Sequence, residues 1–222
     1  MSSQEHVVVI YPHPDDESFG AAGTIASYRE KGIPVTYLCG TLGEMGRNMG
    51  NPVFANRETL SSFRKQELLK ACKALDVDVR MLGYRDKTLE FEQMDQVAGH
   101  IQSILEEINP TLVITHYPGY AVHPDHNALG AAVIEAVSNI KDSQRPELWV
   151  QAIATNYEKD LGEPHIRHDV KPYWDKKMAA IETHLSQASG MMSLIKEKPD
   201  FNENEELEHL RYERFYRWNF TD

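Results

Sequence analysis

Two short segments carry the residues of this sequence that could do chemistry. The first, His13-Pro14-Asp15-Asp16-Glu17, places one imidazole and three carboxylates directly after the apolar run Val7–Ile10. The second, His123-Pro124-Asp125-His126, repeats the His-Pro-Asp core after the apolar segment Thr111–Thr115. Burying so many ionisable groups without partners would cost several kcal/mol. A bound metal ion, or a reaction that moves protons, would explain both segments.

Each proline is expected to hold its neighbours in a tight turn. Proline at the second position of a four-residue turn presets the backbone and keeps the end residues within about 7 Å. The first turn then brings His13 close to Asp16, and the second brings His123 close to His126. Alternatively, Pro124 is the first helical residue and His123 is the cap, which leaves His126 on the same turn. One such turn is usually only a solvated turn, but two of them favour a site.

The residue types indicate metal-assisted hydrolysis. Two imidazoles and one carboxylate, with a position open for water, are typical of a hydrolytic zinc site. The metal lowers the pKa of water to about 7 and polarises the scissile carbonyl. A carboxylate outside the ligand set is then needed as base, and a donor is needed for the oxyanion. The two segments contain a residue for each role, and Asp125 remains to orient an imidazole from behind.

The rest of the chain predicts the sheet that must position these segments. Apolar runs of strand length alternate with helical patterns, which indicates an α/β fold: a Rossmann-like three-layer sandwich with a mostly parallel sheet. In the common doubly wound order the first and fourth strands are neighbours, and ligands bind at their carboxyl ends. The two segments should meet there. Strands are predicted at His6–Tyr11, Val35–Cys39, Val79–Leu82, Thr111–Thr115 and Leu148–Ala154, and helices at Gly20–Lys31, Arg57–Leu75, Gln93–Ile108 and Asn127–Ile140.

After Thr155 this alternation breaks, which predicts an elaborated C-terminal region. We expect helices at Tyr173–Leu185 and Glu203–Leu210, and an edge strand or docking tail at Arg211–Phe220. No internal repeat or convincing linker divides the chain, so residues 1–222 are predicted to form a single domain.

Two glycine-containing segments have alternative interpretations. Gly20–Gly23 predicts close packing of a helix on the sheet; a phosphate cradle is the alternative, but no Gly-x-Gly-x-x-Gly follows the first strand. The stretch from Gly40 to about Asn56 is long for a loop in a compact domain. It either lines or covers a pocket or is a flexible surface loop.

Composition narrows the class of protein. The chain has 222 residues, of which 41% are hydrophobic and 26% charged, as expected for a globular protein, and its net charge is −11. That charge argues against nucleic acid or an anionic membrane as partner. We find no signal peptide and no apolar window of ~18 residues, so we expect a cytoplasmic protein. Cys39 and Cys72 are expected to be free and buried.

The paired motifs resemble those of the LmbE-like (PIG-L) family of zinc-dependent N-acetylglucosamine deacetylases, with its opening His-Pro-Asp-Asp-Glu and later His-Pro-Asp-His. The similarity covers most of residues 6–190 and extends to the second type of bacillithiol-biosynthesis deacetylase of bacilli. It implies hydrolysis of the N-acetyl group of an N-acetylglucosamine conjugate, N-acetylglucosaminyl-malate, by zinc-activated water. The alternatives are an amidase acting on bacillithiol S-conjugates, a Rossmann-like nucleotide-binding module and a metal-dependent phosphoesterase.

The resemblance also implies roles for individual residues. One Zn²⁺ per chain, which Fe²⁺ could replace in the cell, is bound by His13, Asp16 and His126. Asp15 becomes the general base that activates water. His123 stabilises the oxyanion or protonates the amine, with Asp125 supporting it.

Substrate contacts are implied for Arg47, Arg64, Tyr120 and His184. Arg47 would meet a sugar hydroxyl or the malyl carboxylates. Arg64-x-x-Glu67 matches a helix element facing the site, with an exposed ion pair as the alternative. Tyr120 precedes the second motif, where relatives carry an oxyanion donor, and His184 either reaches the pocket or packs a helix. The expected partner is a small amino-sugar conjugate, with neither nucleic acid nor membrane, and the chain is expected to form a homo-oligomer.

Overall fold

The computed structural model describes residues 5–197 and 205–220. Within them, seven strands form one sheet in the order β3-β2-β1-β4-β5-β7-β6. The first five are parallel, and β7 runs antiparallel to β5 and β6. The strands are β1 (Val7–Tyr11), β2 (Val35–Cys39), β3 (Asp78–Met81), β4 (Leu112–His116), β5 (Glu147–Gln151), β6 (Ile166–Asp169) and β7 (Tyr212–Arg217).

The central strands are buried along their whole length. Every residue of β1, β2 and β4 is buried, which explains their continuous apolar runs, because a parallel strand is covered on both faces. β1 pairs with β2 on one side and with β4 on the other, as predicted. The strand order therefore reverses between β1 and β4, and the loops that follow these two strands meet at one edge of the sheet.

Helices cover both faces of the sheet, which confirms the three-layer α/β prediction. α3 and α4 pack on the face that carries Val8 and Ile10, and α1, α2 and α6 pack on the face that carries Val9. Each such fully buried side chain stabilises the fold by about 1.5–3 kcal/mol. The helices are α1 (Ala22–Glu30), α2 (Leu60–Leu75), α3 (Met94–Ile108), α4 (Pro124–Ser138), α5 (Glu158–Leu161), α6 (Trp174–Ile181), α7 (Leu185–Glu197) and α8 (Glu205–Arg211), with a π-helical turn at Glu17–Ala21 and 3₁₀ turns at Leu89–Phe91, Asp142–Gln144 and Lys171–Tyr173.

The C-terminal region differs from its prediction in three places. β7 lies between β5 and β6 rather than at the edge. The edge strand is β6, whose single apolar residue, Ile166, explains why no strand pattern was visible. The helix predicted at Tyr173–Leu185 is two helices, because α6 ends at Ile181 and α7 begins at Leu185. Residues 203 and 204 of the last predicted helix lie outside the described residues.

A buried ion pair ties this region to the rest of the fold. Lys177 on α6 lies 2.7 Å from Glu213 on β7, and neither side chain is more than 2% exposed. The Glu213 carboxylate also accepts the backbone N–H groups of Gly23 and Thr24 at the start of α1. A Cβ added at Gly23 would lie 2.2 Å from the Cβ of Val170. The glycine therefore serves close helix packing, as predicted.

The expectation for the two cysteines is confirmed. Cys39 and Cys72 are both free and buried. Among residues 5–197 and 205–220, no helix has the length and apolar character needed to span a bilayer.

Candidate metal centre and active site

The first motif forms a strained turn directly after β1. The backbone N–H of His13 donates to Asp16 Oδ2 at 2.9 Å, so these residues are close, as predicted. Between them, Asp15 has φ +123°, a conformation that residues with a side chain rarely adopt. Its N–H donates to Glu17 Oε2 at 3.0 Å, and Arg64 donates to the Pro14 carbonyl at 2.6 Å. These bonds hold the turn in a conformation it would not otherwise adopt.

Glu17 supports this turn from behind. Its side chain has no exposed surface, and Oε1 accepts from Ser18 Oγ and lies 2.8 Å from His184 Nε2. Burial disfavours the His184 imidazolium, but the charge and hydrogen bond of Glu17, together with the charges of Asp15 and Glu67, raise the pKa of His184. Glu17 lies on the π-helical turn, a type of distortion often found at functional sites.

The second motif is a helix N-terminus. α4 begins at Pro124, and His123 caps it by accepting the N–H of Asp125 on Nδ1 at 3.1 Å; of the two geometries predicted for this motif, this is the capping one. Burial lowers the pKa of His123, so the ring is neutral near pH 7. Because Nδ1 accepts a hydrogen bond, the proton of the neutral ring lies on Nε2.

The two loops bring three candidate ligands together. His13 Nδ1 lies 3.1 Å from His126 Nε2. The Asp16 carboxylate places Oδ2 at 3.5 Å from His13 Nδ1 and Oδ1 at 3.3 Å from His126 Nε2. Ligand atoms 2.0–2.2 Å from a tetrahedral zinc ion are roughly 3.3–3.6 Å apart. The three side chains therefore fit a metal ion of this size.

Hydrogen bonds on the outer side of each ring explain why a cation belongs between them. His13 Nε2 lies 3.2 Å from both Asp86 Oδ1 and Asp125 Oδ2, and His126 Nδ1 lies 3.0 Å from the Ala121 carbonyl. These acceptors assign the ring protons to the outer nitrogens. When both rings are neutral, two lone pairs then face each other at 3.1 Å beside a carboxylate. Such an arrangement is repulsive unless a positive charge lies between the rings.

The acidic surroundings of His13 favour the same conclusion. Burial disfavours its charged form, yet hydrogen bonds to Asp125, Asp16 and Asp86 hold the pKa of His13 well above its usual value. The local potential is therefore strongly negative. A metal cation would be stabilised by the same potential.

The Asp125 carboxylate orients His13 and also accepts the N–H groups of Lys87 and Leu89 at 2.6 and 3.2 Å. Its backbone N–H supports His123, and its charge partly opposes the lowering of the pKa of His123 by burial. A second possible metal group joins His13, His123 and Asp125. Since Asp125 already accepts two backbone amides, the group with Asp16 and His126 is the better metal site.

Asp86 is a site residue that the sequence analysis missed. It lies on the loop after β3, is 2% exposed, and accepts the Met45 N–H on Oδ2 at 2.8 Å. Its own N–H donates to Glu44 Oε1, so Asp86 joins the 40–56 loop to His13. The available signal was its position: it follows a third parallel strand, at the same edge of the sheet as the two motifs.

Asp15 has the surroundings of a base. Burial raises the pKa of Asp15 to about 6, although Arg64 opposes the rise. Arg64 Nη2 donates to Asp15 Oδ2 at 3.1 Å, and the Asp15 side chain is 17% exposed, so water can reach it. A carboxyl with a pKa near the working pH can both accept and return a proton.

A cavity of about 820 Å³ opens beside the metal group. It begins at Asp16 and His116 and extends along the carboxyl end of β5 towards β7. Its size is typical of small-molecule sites. The lining residues are Asp16, Phe19, Gly20, His116, Gln151–Lys159, His209 and Tyr212–Arg214.

His116 forms the wall between this cavity and the second motif. Its ring stacks on the His126 ring with centroids 4.1 Å apart. Burial lowers the pKa of His116 well below its usual value, so the ring is neutral.

The family model described as PIG-L, GlcNAc-PI de-N-acetylase, matches residues 8–137. That range covers more than half of the chain and includes both motifs. The chain belongs to the PIG-L family.

Relatives within the PIG-L family match the chain over its full length. A protein of Bacillus subtilis (strain 168) is 51% identical over 219 residues, covering 97% of this chain and 99% of the relative. A protein of Bacillus anthracis is 47% identical over 223 residues, covering 100% of this chain and 99% of the relative. Both are named probable N-acetyl-alpha-D-glucosaminyl L-malate deacetylase 2.

Solved structures of similar fold include the N,N'-diacetylchitobiose deacetylase from Pyrococcus horikoshii. It has a TM-score of 0.73 and 23% identity, with 97% of this chain and 84% of that chain covered. At this identity the likeness shows the fold, which is the three-layer fold described above.

The four predicted substrate-binding residues lie outside the cavity lining. Arg64 is buried against Asp15, and His184 is buried against Glu17. The alternative given for Arg64, an exposed ion pair on its helix, is therefore wrong. Arg47 is exposed on the 40–56 loop, and the Tyr120 ring packs edge-to-face on Tyr117. Substrate contacts by Arg47 and Tyr120 stay predictions.

Proposed function

We propose that this PIG-L protein is a zinc-dependent deacetylase that hydrolyses the N-acetyl group of N-acetylglucosaminyl-malate. The observation that carries the proposal is the pair of imidazole nitrogens that lie 3.1 Å apart beside the Asp16 carboxylate, with Asp15 adjacent. The names of the relatives from Bacillus species support the choice of substrate.

His13, Asp16 and His126 would hold the zinc ion. Bound by three protein ligands, zinc supplies a Lewis acid for the acetamide carbonyl and lowers the pKa of water. Asp86 and Asp125 keep His13 in the tautomer that presents Nδ1, and the Ala121 carbonyl does the same for Nε2 of His126. The chain thus supplies a preformed ligand set.

Asp15 takes the proton of the attacking water. Its Oδ2 is held by Arg64, and among the described residues no hydrogen bond is made to Oδ1, which therefore accepts the proton. The strained turn aims this carboxylate, because the Glu17 bond to the Asp15 N–H and the Arg64 bonds fix the backbone and side chain together. Arg64 and Glu17 act as positioning residues for Asp15.

His123 stabilises the developing charge on the acetamide oxygen. The cap bond from Asp125 leaves the proton of the neutral ring on Nε2, and the ring lies 4.9 Å from the His13 ring, centroid to centroid. A preorganised donor of this kind contributes about 10²- to 10³-fold to acyl-transfer rates. After collapse, a proton delivered to the amine releases the amino sugar and acetate.

Acetate release tests the proposal. Purified protein is assayed for acetate release from N-acetylglucosaminyl-malate and free N-acetylglucosamine and for release of the amino sugar from a bacillithiol S-conjugate, with and without a chelator, while bound metal is quantified by elemental analysis. We expect the highest kcat/KM on the malyl conjugate, loss of activity with chelator and recovery with added zinc. Activity that survives complete removal of metal would contradict the proposal, and preference for the S-conjugate would replace its substrate.

A further inference from the structure

The cavity has a cationic end away from the metal group. Lys159, on α5, and Arg214, on β7, both line it there, together with Asn156 and His209. Of the carboxylates that line the cavity, Glu213 is paired with Lys177, and Asp16 belongs to the metal group. Among the described lining carboxylates, Glu158 alone remains to offset the two cations. In a chain of net charge −11, this local excess of positive charge is unusual.

Arg214 has no carboxylate partner among residues 5–197 and 205–220. Among the described arginines that are not exposed, Arg29, Arg64, Arg145 and Arg211 each form an ion pair with an aspartate. Arg214 is also partly buried, yet within the described ranges its hydrogen bond is a long one of 3.5 Å to the Tyr212 carbonyl. A partly desolvated guanidinium without a counter-charge is unfavourable. An anionic ligand would supply the missing partner.

The neighbouring strand strengthens this conclusion. Arg214 on β7 lies directly opposite Arg167 on β6 in the antiparallel register, and like charges at such positions repel. The guanidinium carbons of both lie over the Tyr212 ring, at 5.6 and 3.8 Å from its centroid. Tyr212 lines the cavity whereas Arg167 does not. The repulsion is relieved if an anion binds on the Arg214 side.

The position of Arg214 suits the far end of a glycoside. Side chains alternate along β7, so Arg214 lies on the same face of the sheet as Tyr216. Tyr216 packs in the core that α4 covers, and α4 also carries His126. β7 is three strands away from β1 in the sheet. At about 4.8 Å per strand, roughly 14 Å separates it from the first motif. A sugar whose acetamide reaches the metal group would extend its other substituent towards Arg214.

We infer that Arg214, assisted by Lys159, binds a carboxylate of the aglycone and thereby selects acidic glycosides of N-acetylglucosamine. This inference rests on the proposed deacetylase function. It moves recognition of the carboxylate from Arg47, on the 40–56 loop, to the C-terminal strand.

The test compares an acidic with a neutral glycoside. kcat and KM are measured for N-acetylglucosaminyl-malate and for the methyl α-glycoside of N-acetylglucosamine with the wild-type metalloenzyme and the R214Q, R214K and K159Q variants. For the malyl substrate, we expect R214Q to lower kcat/KM about 10- to 100-fold, mainly through KM, because a charge-assisted hydrogen bond is lost. R214K should retain part of the preference. K159Q should lower kcat/KM for the malyl substrate by only about 2- to 5-fold, since Lys159 is exposed.

R167Q is the matched control: it removes an arginine at the paired register position that does not line the cavity. Its kinetics on the neutral glycoside should match those of the wild type, and its kcat/KM on the malyl substrate should change far less than that of R214Q. On the neutral glycoside R214Q should stay within about 2-fold of the wild type, with an unchanged thermal midpoint. R47Q is measured alongside. The inference is overturned if R214Q loses activity equally on both substrates, if it loses none on either, or if R47Q shows the selective loss instead. If the wild type releases acetate from neither glycoside, the deacetylase proposal itself fails.

Discussion

The two ends of the cavity differ in how their charged groups are paired. At the metal end, His13 alone has four groups within 3.5 Å: Asp16, Asp86, Asp125 and His126. At the other end, Arg214 has no carboxylate partner among the described residues. Dense pairing fixes groups whose positions must not change during a reaction. An unpaired, partly buried charge instead retains binding energy for a ligand. The comparison separates residues that do chemistry from residues that choose the substrate.

Replacement of the proposed proton acceptor, Asp15, should reduce activity more than any other change. Asp15→Asn should lower kcat about 10²- to 10⁴-fold because the amide cannot accept the proton from water. Zinc content, measured by elemental analysis, should stay near one per chain. The adjacent Asp16→Asn is the contrasting variant, which should lose bound zinc. Substantial turnover by the Asp15 variant would show that another group is the base.

The second prediction concerns the support of the far end. Lys177→Met leaves the Glu213 carboxylate buried without its cation, which should lower the free energy of unfolding by about 3–5 kcal/mol in denaturant titrations. Lys176→Met, at an exposed neighbouring position, is the control and should change it little. If both variants unfold alike, the buried pair does not hold β7 and α1 together.

The third prediction tests how the metal end is built. Asp86→Asn weakens the acceptor behind His13 Nε2, so we expect zinc affinity to fall about 10- to 100-fold in competition with a chelator. Asp78→Asn changes an exposed aspartate at the start of β3 and should leave affinity unchanged. If the Asp86 variant binds zinc as tightly as the wild type, Asp125 alone is sufficient to orient His13.

The smallest effect is expected in the loop before the second motif. Asn127 Oδ1 accepts the N–H groups of Gly119 and Ala121, and its amide donates to the His123 carbonyl. Asn127→Ala should therefore cost about 1–2 kcal/mol of stability in thermal or denaturant unfolding. Asn139→Ala, at the exposed end of α4, should cost less. Equal costs would mean that Asn127 adds no more than an ordinary surface asparagine.

The parts of the fold that could be predicted are those with a local cause. The buried strands β1, β2 and β4 are continuous apolar runs, and an alternating series of such runs and helices permits few sheet topologies. β6 could not be predicted in this way, because a short edge strand with one apolar residue lacks any periodic signal. β7 showed a strand pattern, but nothing in it indicates that β6 would pair outside it.

The same distinction applies to the candidate site. The spacing within each His-Pro-Asp segment determines that His13 lies near Asp16 and that His123 caps α4, since both are contacts within a few residues. The predicted neighbours β1 and β4 then bring the two segments together. The metal ligands that we propose thus follow from short-range geometry and one topological rule.

The groups that surround these residues, in contrast, depend on the tertiary structure. Asp86 meets His13 across 73 positions of sequence, and His184 meets Glu17 across 167. Lone aspartates and histidines are too common for such pairs to be chosen from sequence. The kind of chemistry could be predicted from the sequence, because the side chains that we propose to react cluster in two short turns. The packing of distant strands decided which groups aim them, and it left Arg214 unpaired at the other end of the cavity.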